Sequence, residues 1–253
     1  MKVTILGSGT SQGVPVIGCD CHVCSSLDYR DKRLRASIHI QTNGKSIIID
    51  SGPDFRQQVL RERIKTLDAL IFTHEHKDHT AGMDDIRSFN FLQQKDMPIY
   101  ATQPVINQLK QEFSYVFSEK RYPGVPQVEI HELDGSPFSI DGIEIIPIEV
   151  LHYKLPVLGY RIGDFTYITD AKTISTKSIE KIKGSRVVVL NALQQAEHLS
   201  HFTLEEALEM AEQIGAEKTY LTHLSHKMGT HQNVSAKLPE NVAIAFDGLS
   251  FQL

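Results

Sequence analysis

Short apolar runs separated by turn residues recur along the chain and predict a β-rich protein. The runs are rich in Ile, Val and Phe, as strands buried in a sheet are. The predicted strands are 3–6, 37–41, 46–50, 69–73, 143–150, 158–162, 165–169, 186–190, 219–222 and 243–246. Asn43-Gly44 and Gly163-Asp164 predict tight turns between neighbouring strands.

Three segments between these runs have the apolar periodicity of helices that cover a sheet, namely 54–64, 105–116 and 203–214. Thr203 is the predicted N-cap of the last helix, with Glu206 placed to complete a capping box. Strands followed by helices in both halves predict an α/β (α+β) fold with two sheets face to face and helices outside. No repeat or linker divides the sequence, so we expect a single domain over residues 1–253.

Composition excludes several classes of protein. The chain has 253 residues, 31 acidic and 26 basic, giving a net charge of −5. It has no Lys/Arg run, so nucleic acid is not the expected partner. No apolar run approaches the roughly 20 residues that span a bilayer, and Gly7 interrupts the N-terminal apolar run, unlike a signal peptide. We therefore expect no membrane partner and a cytoplasmic location.

The three cysteines of the chain, Cys19, Cys21 and Cys24, lie within six residues. An odd, tightly clustered set cannot form a disulfide framework, and in a reducing compartment such clusters bind metal. The C-x-C-x-x-C spacing supplies three thiolates for a structural Zn²⁺ that needs a fourth ligand. His22, inside the cluster, and the distant His226 are the two candidates for that ligand.

A dense set of metal ligands follows the apolar strand 69–73, in the sequence His74-Glu75-His76-Lys77-Asp78-His79. His74 and His76 are two residues apart, so in an extended segment they point the same way. Asp78 and His79 are expected to lead into a helix that begins at Thr80. Imidazole nitrogen and carboxylate oxygen suit Zn²⁺, Fe²⁺ or Mn²⁺, and the ligand set does not choose among these catalytic metals.

The H-x-H-x-D-H motif after a buried strand resembles the metallo-β-lactamase superfamily. The resemblance implies a four-layered αβ/βα sandwich with two divalent metals in the active site and a hydroxide bridging them as the nucleophile. It implies one ion held by His74, His76 and His152, a second held by Asp78, His79 and His223, and Asp170 bridging both. Asp50 matches a family aspartate that orients a ligand histidine.

The cysteine cluster resembles one branch of that superfamily, the PhnP-like phosphoribosyl cyclic phosphodiesterases. Segments 7–15 and 50–56 and the positions of His201 and His226 share in the resemblance. It implies a hydrolase of small or cyclic phosphodiesters that is a homodimer, with His201 as the general acid that protonates the leaving oxygen. It favours His226 over His22 as the fourth ligand of the structural zinc, beside Cys19, Cys21 and Cys24.

Other functions are compatible with parts of this pattern. A nuclease that processes transfer-RNA 3′ ends shares the ligands, although the sequence has no basic, glycine-rich insertion. A relative that acts in pyrroloquinoline quinone biosynthesis shares the cysteine cluster, and a metal-storing scaffold would need the ligands alone. No partner is predicted for His39, His131 or His231, which we expect to be packed or at the surface. Arg33 and Arg35 are expected either to bind phosphate or to be solvated.

Overall fold

Two mixed β-sheets form the centre of the structure, a computed structural model that describes residues 1–120 and 122–253. The strands are β1 (Lys2–Gly7), β2 (Ser37–Thr42), β3 (Lys45–Ile49), β4 (Ala69–Ile71), β5 (Met97–Ala101), β6 (Val128–Glu132), β7 (Phe138–Ile140), β8 (Ile143–His152), β9 (Leu155–Ile162), β10 (Phe165–Ile168), β11 (Thr173–Ile174), β12 (Val187–Asn191), β13 (Lys218–Thr222), β14 (Val242–Ile244) and β15 (Ser250–Gln252). The helices are α1 (Phe55–Arg61), α2 (Lys77–Thr80), α3 (Arg87–Gln93), α4 (Gln103–Glu112), α5 (Ser114–Phe117), α6 (Thr176–Ile182), α7 (Leu204–Ile214) and α8 (His231–Ser235). Short 3₁₀ helices are Tyr29–Asp31, Met83–Ile86 and His226–Met228.

Each sheet combines an antiparallel half with a parallel half. The first has the order β15-β1-β2-β3-β4-β5-β6, parallel from β3 to β6. The second has the order β11-β8-β9-β10-β12-β13-β14, parallel from β10 to β14, and β7 pairs with β8. The parallel strands are nearly continuous apolar runs, such as Ile47-Ile48-Ile49, because strands in such sheets are buried on both faces.

Three apolar clusters make four layers. One fills the space between the sheets and includes Ile47 and Tyr160. The second joins the outer face of the second sheet to α6, α7 and α8, and the third joins the outer face of the first sheet to α1, α3 and α4. The predicted arrangement of two facing sheets with helices outside is confirmed. None of the helices in residues 1–120 and 122–253 is long and apolar enough to cross a membrane.

All the predicted strands overlap observed ones, and the Thr203–Glu206 capping box is present. The sequence patterns miss five strands, β5, β6, β7, β11 and β15. Pro98 interrupts β5, β6 alternates polar residues at the sheet edge, and the other three are only two or three residues long. The predicted helix 105–116 is wrong as one element, since it breaks at Phe113, where ψ is 43°. The predicted helix 54–64 already ends at Arg61, since Arg63 adopts a left-handed φ of 54°. Asp78 and His79 lie within α2 rather than before a helix starting at Thr80.

Candidate active site

Chain segments leaving five strands bring acidic and imidazole side chains to one edge of the two sheets. Asp50 follows β3, His74 lies beyond β4, Asp170 follows β10 and His223 follows β13, while His152 is the last residue of β8. Carboxyl ends of parallel strands meet at a common edge, which is where α/β sheets form their sites. Residues far apart in sequence therefore converge.

Two carboxylates lie between two imidazoles at the centre of this edge. Nε2 of His79 is 3.2 Å from Oδ2 of Asp78 and 3.2 Å from Oδ2 of Asp170. Nε2 of His223 is 3.3 Å from Oδ1 of Asp170 and 3.7 Å from Oδ2 of Asp78. Asp170 thus turns one oxygen toward each histidine, as a carboxylate shared by two ions would.

The other predicted ligands adjoin this group. The ring centroids of His74 and His76 are 4.6 Å apart, those of His76 and His152 are 5.3 Å apart, and those of His74 and His152 are 6.1 Å apart. Donor atoms of His74, His79 and Asp170 lie within 4.8 Å of one another. The structure therefore brings together all seven residues proposed to hold the metal pair.

Neighbouring acceptors fix the proton on the outer nitrogen of three of these histidines. Nδ1 of His79 lies 2.7 Å from the carboxylate of Asp50, and Nδ1 of His152 lies 2.8 Å from the carbonyl oxygen of Ser200. Nδ1 of His74 is 3.0 Å from Oγ1 of Thr73, whose hydroxyl donates to Asp50 at 2.9 Å. Because these partners accept at Nδ1, each imidazole in its neutral form directs the lone pair of Nε2 toward the centre, as metal ligands require.

The charges of the site also fit divalent cations. Burial alone would raise the pKa of Asp170, but His223 and His79 outweigh it and hold that pKa well below its usual range. Asp78 likewise has a lowered pKa, because His79 and His223 outweigh burial. Burial, followed by the charge of His79, lowers the pKa of His74, so its imidazole is neutral. Burial would lower the pKa of His79, but the carboxylates of Asp50, Asp170 and Asp78 outweigh it and hold that pKa well above its usual range, so a bound cation would have to displace the extra proton of His79. Ionised carboxylates and neutral imidazoles are the protonation states that bind metal.

Buried nitrogens without partners complete this test of fit. Among the described residues, Nε2 of His74, His79 and His223 is buried and has no hydrogen-bond partner. An unsatisfied buried polar atom normally costs about 1–3 kcal/mol. Divalent cations between these three nitrogens and the two carboxylates would account for the absence of hydrogen-bond partners.

Backbone geometry at this edge is unusual. Asp50, Asp170 and His223 adopt left-handed φ values of 66°, 56° and 58°. Such conformations cost about 1–3 kcal/mol each in non-glycine residues and concentrate at functional sites. They turn the chain sharply at the end of each strand, so that the side chain faces the site.

Several supporting residues were not found from the sequence. Thr73 links Asp50 to His74, and the carbonyl of Ser200 orients His152. Gly52 lets the Asp50 loop pack on α2, since a Cβ there would lie 2.0 Å from the carbonyl oxygen of Asp78. Only the position of Thr73, directly before the histidine motif, was a usable signal.

The predicted general acid, His201, lies beside the same cluster. Its ring centroid is 4.4 Å from that of His152 and 4.9 Å from that of His223, and Nδ1 is 3.8 Å from Oδ1 of Asp170. Phe202 holds this segment in place through hydrogen bonds to Ala171 and Leu193. Burial, followed by the charge of His223, lowers the pKa of His201 to about 3. A bound anionic group would favour the protonated form.

The cysteine cluster forms a second candidate metal site. The Sγ atoms of Cys19, Cys21 and Cys24 lie 3.3, 3.5 and 3.5 Å from Nδ1 of His226. The backbone N–H of Cys24 lowers the pKa of Cys21 to about 6, while burial raises that of Cys24 to about 11. The structure brings His226 to the thiols and leaves His22 exposed outside the group.

Two residues considered for phosphate binding have other partners. Arg33 is not solvated, because it is 1% exposed and pairs with Asp31 at 3.1 Å. Its guanidinium also donates to the carbonyls of Ser225 and Gly229, beside the loop that carries His226. Arg35 pairs with Asp54 at 3.1 Å.

The other histidines lie apart from the metal ligands. His39 is buried and hydrogen-bonded to Ser46, and His231 is buried against Phe246. His131 is partly exposed and stacks on Tyr100.

Comparison with known proteins agrees with this geometry. The β-lactamase superfamily domain matches residues 45–224, a segment that contains the histidine motif and every later ligand of the candidate metal pair. The chain belongs to the metallo-β-lactamase superfamily. Its predicted fold is confirmed, and this is a hydrolase fold.

Two solved structures of this superfamily cover the whole chain. One is a new diphosphatase from the PhnP family, 40% identical, with a TM-score of 0.93 over 100% of this chain and 97% of that chain. The other is Zn²⁺-bound PqqB from Methylobacterium extorquens, 17% identical, with a TM-score of 0.81 over 100% of both chains. The second likeness shows the fold alone.

A curated relative is named for a different activity from that of the PhnP-family structure. The octanoyltransferase of Porphyromonas gingivalis is 42% identical over 252 residues, which are 98% of this chain and 51% of that protein. The chain thus spans about half the length of this superfamily relative. The name describes the longer protein and does not say which half carries the activity.

Proposed function

We propose that the chain is a hydrolase of small or cyclic phosphodiesters that holds two divalent metals in its active site and one structural zinc. The observation that carries the proposal is the convergence of unbonded Nε2 atoms of His74, His79 and His223 on the ionised carboxylates of Asp78 and Asp170. The 40% identity to a PhnP-family diphosphatase supports phosphorus esters as the substrate class.

The proposed division of the ligands between two cations follows the family resemblance, and the contacts of Asp50 and Thr73 supply the supporting roles. His74, His76 and His152 would hold one cation, Asp78, His79 and His223 the other, with Asp170 shared. When bound, such a pair supplies Lewis acidity and lowers the pKa of a water molecule toward neutrality. Asp50 keeps the His79 imidazole oriented, and Thr73 does the same for His74.

His201 is proposed to assist the leaving group. Hydrolysis forms a bond between a water oxygen and phosphorus and breaks the bond from phosphorus to the alcohol oxygen. The departing alkoxide needs a proton, and the imidazole of His201 can donate it from the edge of the metal cluster. The negative charge of a bound phosphate opposes the effects of burial and of His223, which otherwise keep His201 neutral.

We propose that the structural zinc is held by Cys19, Cys21, Cys24 and His226. A closed Cys₃His site leaves no position open for a substrate. It would join the N-terminal loop to the segment that carries both His223 and His226, and so support the active site. The proposed homodimer and small-molecule substrate follow from the family resemblance.

The direct test is turnover by protein reconstituted separately with Zn²⁺, Mn²⁺ and Fe²⁺, with the metal content measured. Bis(p-nitrophenyl) phosphate and ribose 1,2- and 2,3-cyclic phosphates should be cleaved, and chelation should abolish cleavage. Absence of turnover on every phosphodiester at full metal loading would refute the proposal. Filter binding of transfer RNA tests the nuclease alternative. Turnover of an octanoyl thioester tests acyl transfer, and turnover of an oxidisable tyrosine-derived precursor tests the quinone-biosynthesis alternative.

A second candidate function is hydrolysis of a diphosphate, favoured by the described activity of the PhnP-family structure. The same metal cluster and acid could serve, because a phosphate leaving group also departs with developing negative charge. Its leaving group needs less protonation than an alkoxide. Removing His201 should therefore slow diphosphate hydrolysis less than hydrolysis of an alkyl phosphodiester.

A further inference from the structure

A polar cavity lies on the outer face of the first sheet, at the end opposite to the candidate active site. Its volume is about 250 Å³, and it is lined by side chains of β1, β2 and β3 and by the segment 62–66 that leads toward β4. Ser46 lies near the start of β3, whose far end leads to Asp50. Extended chain from Ser46 to Asp50 spans roughly 13 Å, so the cavity is separate from the candidate metal ligands.

Alternation along the strands brings polar side chains to this outer face. Thr4 of β1 pairs with His39 of β2, and Lys2 pairs with Gln41, which in turn pairs with Ser46 of β3. Residues two apart on one strand share a face of the sheet. These five side chains therefore lie on one face and line the cavity, while the alternate residues of β2 fill the space between the sheets.

Three cationic side chains around the cavity have no carboxylate partner. Lys2, Arg63 and Lys65 belong to its lining and are exposed, and none of them forms an ion pair within residues 1–120 and 122–253. The carboxylate of Glu62 also lines the cavity, but it pairs with Arg61 at 2.7 Å. The chain carries a net charge of −5, yet this part of its surface is locally positive and attracts anions.

His39 adds a buried nitrogen that can accept a hydrogen bond. Its side chain lines the cavity although it is only 4% exposed. The hydroxyl of Ser46 donates to the carbonyl oxygen of Thr66 at 2.6 Å, so the oxygen of that hydroxyl accepts from Nε2 of His39 at 2.8 Å. Burial, and then the charge of Lys2, lower the pKa of His39 to about 4, so at neutral pH its Nδ1 has a lone pair. Nδ1 has no hydrogen-bond partner in the part of the chain that the structure describes.

This combination of donors and an acceptor favours one kind of anion. Ammonium and guanidinium groups donate to negatively charged oxygens, whereas the neutral Nδ1 of His39 needs an O–H group that donates to it. Hydrogen phosphate supplies both, because at neutral pH it is negatively charged and keeps a hydroxyl. Sulfate and the dianion of a phosphate monoester carry the charge but have no hydroxyl on the anionic group.

We propose that this cavity binds inorganic phosphate as hydrogen phosphate, through the cations of Lys2, Arg63 and Lys65 and the Nδ1 of His39. The site prefers free phosphate to sulfate and to phosphate monoesters. The inference goes beyond the proposed function and does not depend on it, because no proposed metal ligand is among the described residues of the lining. Phosphate bound there would join β1, β2 and the segment 62–66, and so stabilise the folded chain.

Titration of the zinc-loaded protein with three anions, followed by NMR, tests this inference. The imidazole signals of His39 report this cavity, whereas calorimetry would also report phosphate bound at the catalytic metals. Inorganic phosphate should shift the ¹⁵N signal of Nδ1 as a new hydrogen bond forms there. At about pH 8, where methyl phosphate is a dianion, sulfate and methyl phosphate should bind at this cavity at least about tenfold more weakly. Equal affinity for the three anions, or an Nδ1 signal that phosphate leaves unchanged, would overturn the inference.

Substitution of the exposed cations tests the same site without disturbing the core. Lys2→Gln and Lys65→Gln should each weaken the binding of phosphate, measured from the His39 signals, by about tenfold, and Lys65→Arg should retain it. Lys110→Gln, exposed on α4 and outside the cavity, is the matched control and should bind phosphate as the unaltered protein does. Unchanged affinity in both Lys2→Gln and Lys65→Gln would refute the site. Neither measurement uses turnover, so failure of the proposed function and failure of this inference are distinguishable.

Discussion

Asp50 accepts a hydrogen bond from Nδ1 of His79 at 2.7 Å, and both side chains are completely buried. The contact directs Nε2 of His79 to the carboxylates of Asp78 and Asp170. Asp50 also accepts the backbone N–H and hydroxyl of Thr73, which in turn contacts His74. One aspartate behind the candidate metal site therefore orients proposed ligands of both cations.

Replacing Asp50 by Asn tests this orientation. The amide keeps the size of the side chain but removes the charge that holds the proton on Nδ1 of His79. We expect metal affinity and kcat/KM to fall by about 10–100-fold, measured by competitive metal titration and by turnover. Asp68→Asn is the matched control, because Asp68 contacts Ser46 and Lys95 at the other end of the sheet. Equal metal affinity in Asp50→Asn and the unaltered protein would contradict the assignment.

His201 can be separated from the metal ligands by the choice of leaving group. His201→Gln should slow hydrolysis of an alkyl phosphodiester by about 10²–10⁴-fold, since an alkoxide needs a proton. The p-nitrophenyl ester needs little protonation and should lose less than about tenfold. His131→Gln, at the partly exposed stack on Tyr100, is the control. Equal losses on both esters, or loss of a metal equivalent, would remove the general-acid role.

The fourth ligand of the proposed structural zinc can be identified by metal content. His226→Gln should lose one equivalent of zinc and lower the midpoint of thermal unfolding by on the order of 5 °C, because metal binding contributes to folding. His22→Gln should keep that zinc, since His22 lies outside the cluster. The reverse result in the two variants would make His22 the ligand.

The buried pair of Arg33 and Asp31 should be important for stability. Arg33→Met leaves the Asp31 charge buried without its partner and removes the donors to Ser225 and Gly229. We expect the free energy of unfolding to fall by about 3–5 kcal/mol, measured by urea denaturation. Arg30→Met removes a more exposed pair with Asp28 and should lose less than about 1 kcal/mol. Similar losses in the two variants would show that burial of the Arg33 pair has no special effect.

His39 should make the protein sensitive to acid. Burial, and then the charge of Lys2, lower the pKa of His39 to about 4. The unfolded chain binds this proton below about pH 6.5, so its contribution to stability is present above that pH and is lost as pH falls through 4. Between pH 7 and 4.5 it should remove about 2 kcal/mol from the free energy of unfolding. His39→Gln should lose correspondingly less over that interval in urea denaturation. Parallel losses in the two proteins would exclude His39 as the cause.

Much of the site could be predicted because its chemistry is concentrated in local motifs. Four of the proposed ligands of the metal pair lie within six residues after one apolar strand, and Cys19, Cys21 and Cys24 are equally close together. The later residues, His152, Asp170 and His223, are implied by the family resemblance, and each lies at or just after the end of a predicted strand. The sequence does not predict the roles of Thr73, Ser200 and Gly52, because a Thr, Ser or Gly acquires such a role only through its tertiary contacts.

Sequence by itself determined ten of the strands, the helix capped by Thr203 and the types of ligand, because hydrophobic period, capping and donor chemistry are local properties. Tertiary structure alone decided that His226 meets the thiols, that the buried Arg33 donates to the carbonyls of Ser225 and Gly229, and that Lys227 and His201 line one cavity. These pairings join segments separated by many residues. They depend on how two sheets pack and how their loops turn, which no single stretch of sequence contains.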